Sequence, residues 1–98
     1  DPRALEVAEK ALALQPNNPA VMDTVAWLLI KQNKTGRAIS LLEKAVERSD
    51  APEIRYHLAV ALAQSGDKLR ARRELEKVLA SKQPFAQVAE ARALMQEL

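Results

Sequence analysis

Hydrophobic residues along this chain recur every three or four positions, in six runs separated by short polar or proline-containing breaks. This spacing places the apolar side chains on one face of an α-helix. Pro19, Pro52 and Pro84 each stand just ahead of such a run, in the first-turn position where the missing N–H of proline does no harm. The pattern predicts an all-α protein of about six helices, over residues 2–14, 19–32, 36–49, 52–65, 68–81 and 84–97.

Two of the breaks contain residues that end or begin helices. In the segment 65–67, Gly66 suits a left-handed C-terminal cap. Thr35 and Asp67 are each expected to accept a backbone N–H as the N-cap of the next helix. These caps predict short connections within two successive helix pairs.

A sequence motif occurs three times at nearly constant spacing. Residues 4–11 (ALEVAEKA) match residues 38–45 at an offset of 34, and residues 71–78 follow at a further 33. Two similar apolar segments, 25–29 and 58–62, are also 33 residues apart. A period between about 20 and 50 residues is typical of a solenoid of stacked supersecondary units.

These residues resemble the tetratricopeptide repeat, a helix-turn-helix unit of about 34 residues with the pattern W-x2-L-G-x2-Y, then A-x3-F, then P. In the first helices, Val25 and Leu58 fill the Leu slot, Ala26 and Ala59 the small-residue slot, and Leu29 and Leu62 the Tyr slot. In the second helices, Ala38 and Ala71 fill the Ala slot, and Leu42 and Leu75 the following aromatic slot. Pro16 matches the closing proline. The chain departs from the pattern where Met22 and Arg55 replace the tryptophan and where Asp50 replaces the closing proline.

The resemblance implies a right-handed α-solenoid of antiparallel helix pairs. It divides the chain into a second helix of a truncated repeat at 1–16, one repeat at 17–50, another at 51–82, and a C-terminal capping helix at 83–98. The family's first helices line a concave groove that binds proteins or peptides. The resemblance therefore implies a non-catalytic scaffold for protein–protein interaction.

Three stretches resemble a narrower group, the long repeat proteins of bacterial PEP-CTERM/exosortase systems. They are residues 18–27, 52–62 and 82–85. This resemblance implies part of a longer bacterial protein of the cell envelope, on its periplasmic side, associated with exopolysaccharide export. It leaves the identity of the partner open.

The composition narrows the classes of function. The chain has no cysteine, one histidine and no glycine-rich loop, so a nucleophile with an oriented base or a phosphate cradle is not expected. His57 follows Glu53 by four residues, but a third metal ligand is missing nearby, and an ordinary helix ion pair is the better interpretation. We therefore expect no enzyme activity, no cofactor and no metal site.

The net charge of +2 does not by itself indicate nucleic acid or membrane as a partner. One predicted helix is strongly basic, but we expect pairing of Arg70 with Glu74 and of Arg72 with Glu76. A solvated, self-paired face is favoured over a nucleic-acid site, although an anionic partner stays open. The longest apolar run, 25–30, is far too short to insert into a membrane.

The residues that resemble ligand-facing positions of the groove include the single tryptophan and the single tyrosine of the chain. Aromatic side chains surrounded by polar ones are typical of binding patches. The predicted site is Asp23, Trp27, Ile30, Lys31, Glu53, Tyr56, Val60 and Gln64, with Ala20 and Ala63 beside them. A second interpretation of Trp27 stays open, in which it packs between repeats.

Both ends of the predicted solenoid favour self-association. Residues 4–14 show an apolar arc wider than one neighbouring helix can cover. In the last helix, Phe85, Val88, Ala89 and Met95 are expected to face inward, and two leucines, 94 and 98, to face away from them. We therefore expect a homodimer or head-to-tail stacking. Two alternative functions remain, a regulatory segment of a larger enzyme and a structural spacer that self-associates.

Overall fold

The computed structural model describes residues 2–98 and contains six α-helices in that range. They are α1 (Pro2–Leu14), α2 (Pro19–Lys31), α3 (Thr35–Arg48), α4 (Pro52–Gln64), α5 (Lys68–Ala80) and α6 (Val88–Glu97). No strand is present in the described part of the chain. The all-α solenoid class predicted from the sequence is confirmed.

The connections α2–α3 and α4–α5 are closed by the same backbone arrangement. Gly66 has a φ of 93°, and the next N–H, of Asp67, donates to the Leu62 carbonyl at 2.9 Å. Asn33 has a φ of 61° and the N–H of Lys34 donates to the Leu29 carbonyl, also at 2.9 Å. This is the Schellman geometry, in which the left-handed residue is usually glycine and sometimes asparagine.

The N-caps differ from one helix to the next. The Asp67 side chain accepts the N–H of Arg70 at 3.2 Å, as predicted. The prediction for Thr35 is wrong, because α3 begins at Thr35 itself and its cap residue, Lys34, makes no side-chain hydrogen bond. Asn18 caps α2 by accepting the N–H of Ala20 at 2.9 Å. Its cap places Pro19 at the start of the helix, where the sequence predicted it.

The helices pack as successive pairs, with the most extensive packing between α2 and α3 and between α4 and α5. The alanines 26, 38, 59 and 71 are fully buried. Side chains this small allow the backbones of neighbouring helices to approach closely. Leu42 and Leu75 fill the core beside them. The apolar core is therefore aliphatic and runs along the stack.

Salt bridges join the second helices to one another. The Arg37 guanidinium on α3 donates two hydrogen bonds to Glu9 on α1. Arg70 on α5 donates to Glu43 on α3 at 2.8 Å, at the equivalent position one repeat later. The Arg37 hydrogen bond lowers the pKa of the Glu9 carboxyl, despite partial burial. These pairs are exposed, so each contributes little stability.

The last helix begins later than the sequence predicted. Pro84 does not open it, because residues 82–85 are irregular and α6 begins at Val88. Its inward face is centred on the fully buried Ala91. Leu94 and Leu98 pack against the core and Ala89 is exposed, so the prediction for these three residues is wrong. The prediction assumes that Phe85 belongs to the helix and points to the core with its inward face. Phe85 instead lies before α6 and reaches the core from the irregular segment.

Candidate protein-binding groove

A cluster of three side chains joins the two first helices, α2 and α4. The rings of Trp27 and His57 stack with their centroids 4.3 Å apart. The Nδ1 atom of His57 lies 2.6 Å from a carboxylate oxygen of Asp23. The histidine ring is buried between the two helices. Asp23 thus fixes the histidine, and the histidine supports one face of the indole.

Trp27 itself is half-buried, so part of the indole remains accessible to solvent. The ammonium group of Lys31, one turn later on the exposed surface, lies 5.7 Å from the centroid of the Trp27 ring. At that distance an ammonium is attracted by the negative face of the ring. The accessible indole therefore stands beside a positive charge.

Tyr56 has a different environment from Trp27. It is 8% exposed and belongs to a second core cluster with Ala59, Leu75 and Ala91. Its ring lies 6.5 Å from that of Phe85. Burial raises the pKa of the Tyr56 hydroxyl, and the negative charge of Glu90 raises it further. Tyr56 therefore packs against residues of α5 and α6, and little of its surface is left for a ligand.

The remaining predicted residues lie along the same two helices. Gln64 is exposed and donates to the carbonyl of Ile30 at 3.2 Å and to the side chain of Asn33 at 2.8 Å. Ile30 is buried in the core, while Glu53 and Val60 are half-buried. The structure therefore leaves six of the predicted residues at least partly accessible on the two helices, namely Asp23, Trp27, Lys31, Glu53, Val60 and Gln64. It withdraws Ile30 and Tyr56 into the interior.

The link between Asp23 and His57 was missed by the sequence interpretation. An ion pair between His57 and Glu53 within one helix was preferred, and that prediction is wrong, because the histidine bonds to Asp23 on the other helix. The available signal was the spacing. Asp23 and His57 are 34 residues apart, one repeat period, and a solenoid brings such positions together.

A family model of the tetratricopeptide repeat matches residues 29–96. The chain belongs to the tetratricopeptide repeat family. Its repeats indicate a scaffold for protein–protein interaction, and domains of this family are generally non-catalytic. No curated protein and no solved structure matches the chain.

The departures from the tetratricopeptide pattern have structural explanations. In the tryptophan slot of the first helices, Met22 is fully buried and fills the core. In the same slot one repeat later, the Arg55 guanidinium donates to a carboxylate oxygen of Glu74 on α5 at 2.6 Å. Lys77 lies 3.3 Å from the other oxygen of Glu74. A salt bridge thus replaces aromatic packing between α4 and α5.

The basic helix α5 is partly neutralised, though not by the predicted partners. Arg70 bonds to Glu43 on α3, so its predicted pairing with Glu74 is wrong. Glu74 is occupied by Arg55 and Lys77. The neighbouring Arg72 is exposed on the same helix. In the described residues, Trp27, Tyr56 and Phe85 make ring contacts with His57 or with one another, whereas single-stranded nucleic acid is bound by stacking on aromatic side chains.

Within the part of the chain that the structure describes, no three histidine, aspartate or glutamate side chains come together as ligands for a metal ion. None of the described helices combines the length and the apolar character needed to cross a membrane.

Proposed function

We propose that the exposed side of α2 and α4 binds a protein or peptide, with the Trp27 indole as its central anchor. The observation that carries this proposal is the half-buried indole stacked at 4.3 Å on His57. Large aromatic side chains with one accessible face supply much of the energy at protein interfaces. Lys31 supplies a polar group beside the anchor, and Glu53 and Gln64 lie near the two ends of α4.

The support beneath Trp27 favours binding over a purely structural role. His57 is held by Asp23 at 2.6 Å, so the indole loses little further freedom when a ligand covers it. Trp27 also packs against the main core cluster, so only part of the indole is available to a ligand. Ile30 packs in the core beneath this face, and Tyr56 packs against α5 and α6 in the second core cluster.

To obtain a ligand, the chain is immobilised and a displayed library of random peptides is selected for binding to it. Because Trp27 is the single tryptophan, its fluorescence reports binding to the original chain and to Lys31→Glu, whereas Trp27→Ala lacks this reporter and its binding is measured by calorimetry. We expect Lys31→Glu to weaken the selected peptides by about tenfold, and Trp27→Ala to abolish their binding.

Leu69→Ala is the control, because Leu69 is exposed on α5, away from the groove. Trp27→Ala also removes a stacking contact, so its folded fraction is checked by circular dichroism. Lys31 is exposed, and its substitution keeps the test independent of folding. Selected peptides that bind both groove variants as tightly as the original chain would overturn the proposal.

We further propose that the chain is part of a longer bacterial protein that acts in the cell envelope, as a scaffold for exopolysaccharide export. The support is the likeness of residues 18–27, 52–62 and 82–85 to the PEP-CTERM/exosortase repeat proteins. Fractionation of the source cells tests this localisation. We expect the protein in the envelope fraction, and its recovery with cytosolic markers would contradict the proposal.

A second function, self-association as a homodimer or head-to-tail stack, is favoured by one specific observation. Val7 is 65% exposed and Leu14 84% exposed on the same face of α1. Exposed apolar side chains that lie together usually mark a contact. Leu94 and Leu98 do not add to this exposed surface, because both are partly buried and pack against the core.

A further inference from the structure

The exposed face of α1 carries a regular stripe of apolar side chains. Ala4, Val7, Ala11 and Leu14 follow one another at intervals of three, four and three residues. These are the a and d positions of a heptad, the spacing with which helices pack side by side. Val7 and Ala11 also border a groove of about 480 Å³ between α1 and α2, which Leu28 lines from the α2 side.

A second stripe lies on the outer face of α6. Ala89, Ala93 and Gln96 are all exposed and follow at intervals of four and three residues. They take the d, a and d positions of a heptad. The small side chains of Ala89 and Ala93 permit the close approach of another helix. This face is separate from the inward face of α6, which is centred on Ala91.

The charges beside the two stripes are opposite in sign and equal in spacing. Arg3 and Lys10 each precede an a position of the α1 stripe, which makes them g positions. Glu90 and Glu97 each follow a d position of the α6 stripe, which makes them e positions. Both pairs are seven residues apart, and all four side chains are exposed.

We propose that α6 of a second copy of this chain packs in parallel on α1. In parallel helices a g residue meets the e residue of the next heptad in the partner. The register that places Val7 beside the partner's Ala89 and Ala11 beside the partner's Ala93 also brings Arg3 to the partner's Glu90. One further heptad brings Lys10 to the partner's Glu97. In this register two apolar layers form together with both ion pairs, while Leu14 lies beside the partner's Gln96.

An antiparallel packing of α1 on a second α1 fits the charges less well. In antiparallel helices the g positions face one another, so Arg3 and Lys10 would approach their own copies. Like charges in that position oppose association. The charge pattern therefore selects α6, rather than α1, as the occupant of the α1 face.

This contact joins two different surfaces, so each copy retains one free α1 face and one free α6 face. Such a heterologous interface extends head to tail unless the rotation closes a ring. A contact of one short helix with another is smaller than a standard stable interface, so the association is weak. It also weakens with salt, because the ion pairs are exposed.

Sedimentation equilibrium of the 98-residue chain tests this contact, with four exposed charges as the variables. The first variant carries Arg3→Glu and Lys10→Glu, and the second carries Glu90→Lys and Glu97→Lys. Each variant alone is expected to associate about tenfold more weakly than the original chain. An equimolar mixture of the two is expected to recover association, because each reversed face meets a complementary one.

Arg72→Glu with Arg73→Glu is the matched control, since it makes the same change of charge on exposed residues of α5. It should leave the association unchanged. The inference rests on the proposed self-association, and the outcomes separate the two. If the original chain stays monomeric at millimolar concentration, both fail. If it associates but the reversed charges have no effect, or the mixture does not recover, self-association stands and the α1–α6 contact is overturned.

Discussion

The substitution Leu75→Ala is expected to lower the free energy of unfolding by about 2–5 kcal/mol, the range for leucine-to-alanine changes in protein cores. Leu75 is 0% exposed and lies in the cluster with Tyr56, Ala59 and Ala91. Its side chain is held between α4, α5 and α6, so truncation leaves a cavity that the three helices cannot close easily. Urea unfolding followed by circular dichroism measures the change.

Leu69→Ala provides the matched control on the same helix. Leu69 is 61% exposed, so the same loss of side-chain atoms should cost less than about 1 kcal/mol. If the two variants unfold at the same urea concentration, Leu75 does not lie on the core-facing side of α5.

Enlarging Ala26 to leucine is expected to destabilise the protein by about 1–3 kcal/mol. Ala26 is fully buried on α2, in the pair of helices that packs most extensively. Three additional carbon atoms at such a site force neighbouring backbones apart. A solenoid passes such a displacement to the adjacent helices, since each unit is stabilised by its neighbours.

Ala20→Leu makes the identical change on the same helix at an exposed position. Thermal unfolding of the two variants should show a lower midpoint for Ala26→Leu alone. An unchanged midpoint for Ala26→Leu would mean that α2 and α3 are separated by enough space for a leucine, contrary to the packing described here.

The first five helices could be predicted from the sequence to within one residue at each end. Pro19 and Pro52 mark helix starts because their fixed φ suits the first turn. Gly66 marks a helix end because its positive φ is accessible to glycine without steric cost. Asn33 takes the same conformation in the other connection, where the sequence carried a weaker signal.

The start of α6 could not be predicted in the same way, because proline permits a helix start without requiring one. Pro84 lies in the irregular segment between α5 and α6. From that segment Phe85 reaches Tyr56, with the two rings 6.5 Å apart. Local sequence does not encode this tertiary contact, and α6 begins only after it, at Val88, with Leu94 and Leu98 packed against the second core cluster.

The groove was predicted in its helices and in Trp27, but not in the contacts that support it. The spacing favours a local pair of His57 with Glu53, whereas the folded chain provides Asp23 from the previous repeat. The partner of Arg55 is also set by the tertiary structure, since Glu74 lies 19 residues away on the next helix. Contacts between helices depend on how the helices stack. The repeat period is the feature of the sequence that best predicts which positions meet.

A map of chemical-shift changes tests most directly whether protein ligands bind to the face of α2 and α4 that carries Trp27. A peptide selected on the immobilised chain is titrated into isotope-labelled protein, and backbone amide and indole resonances are followed. We expect the largest changes at Trp27, Lys31 and Gln64, and small ones along α3 and α5. Changes confined to α3 and α5, with the indole N–H resonance of Trp27 unmoved, would contradict the account.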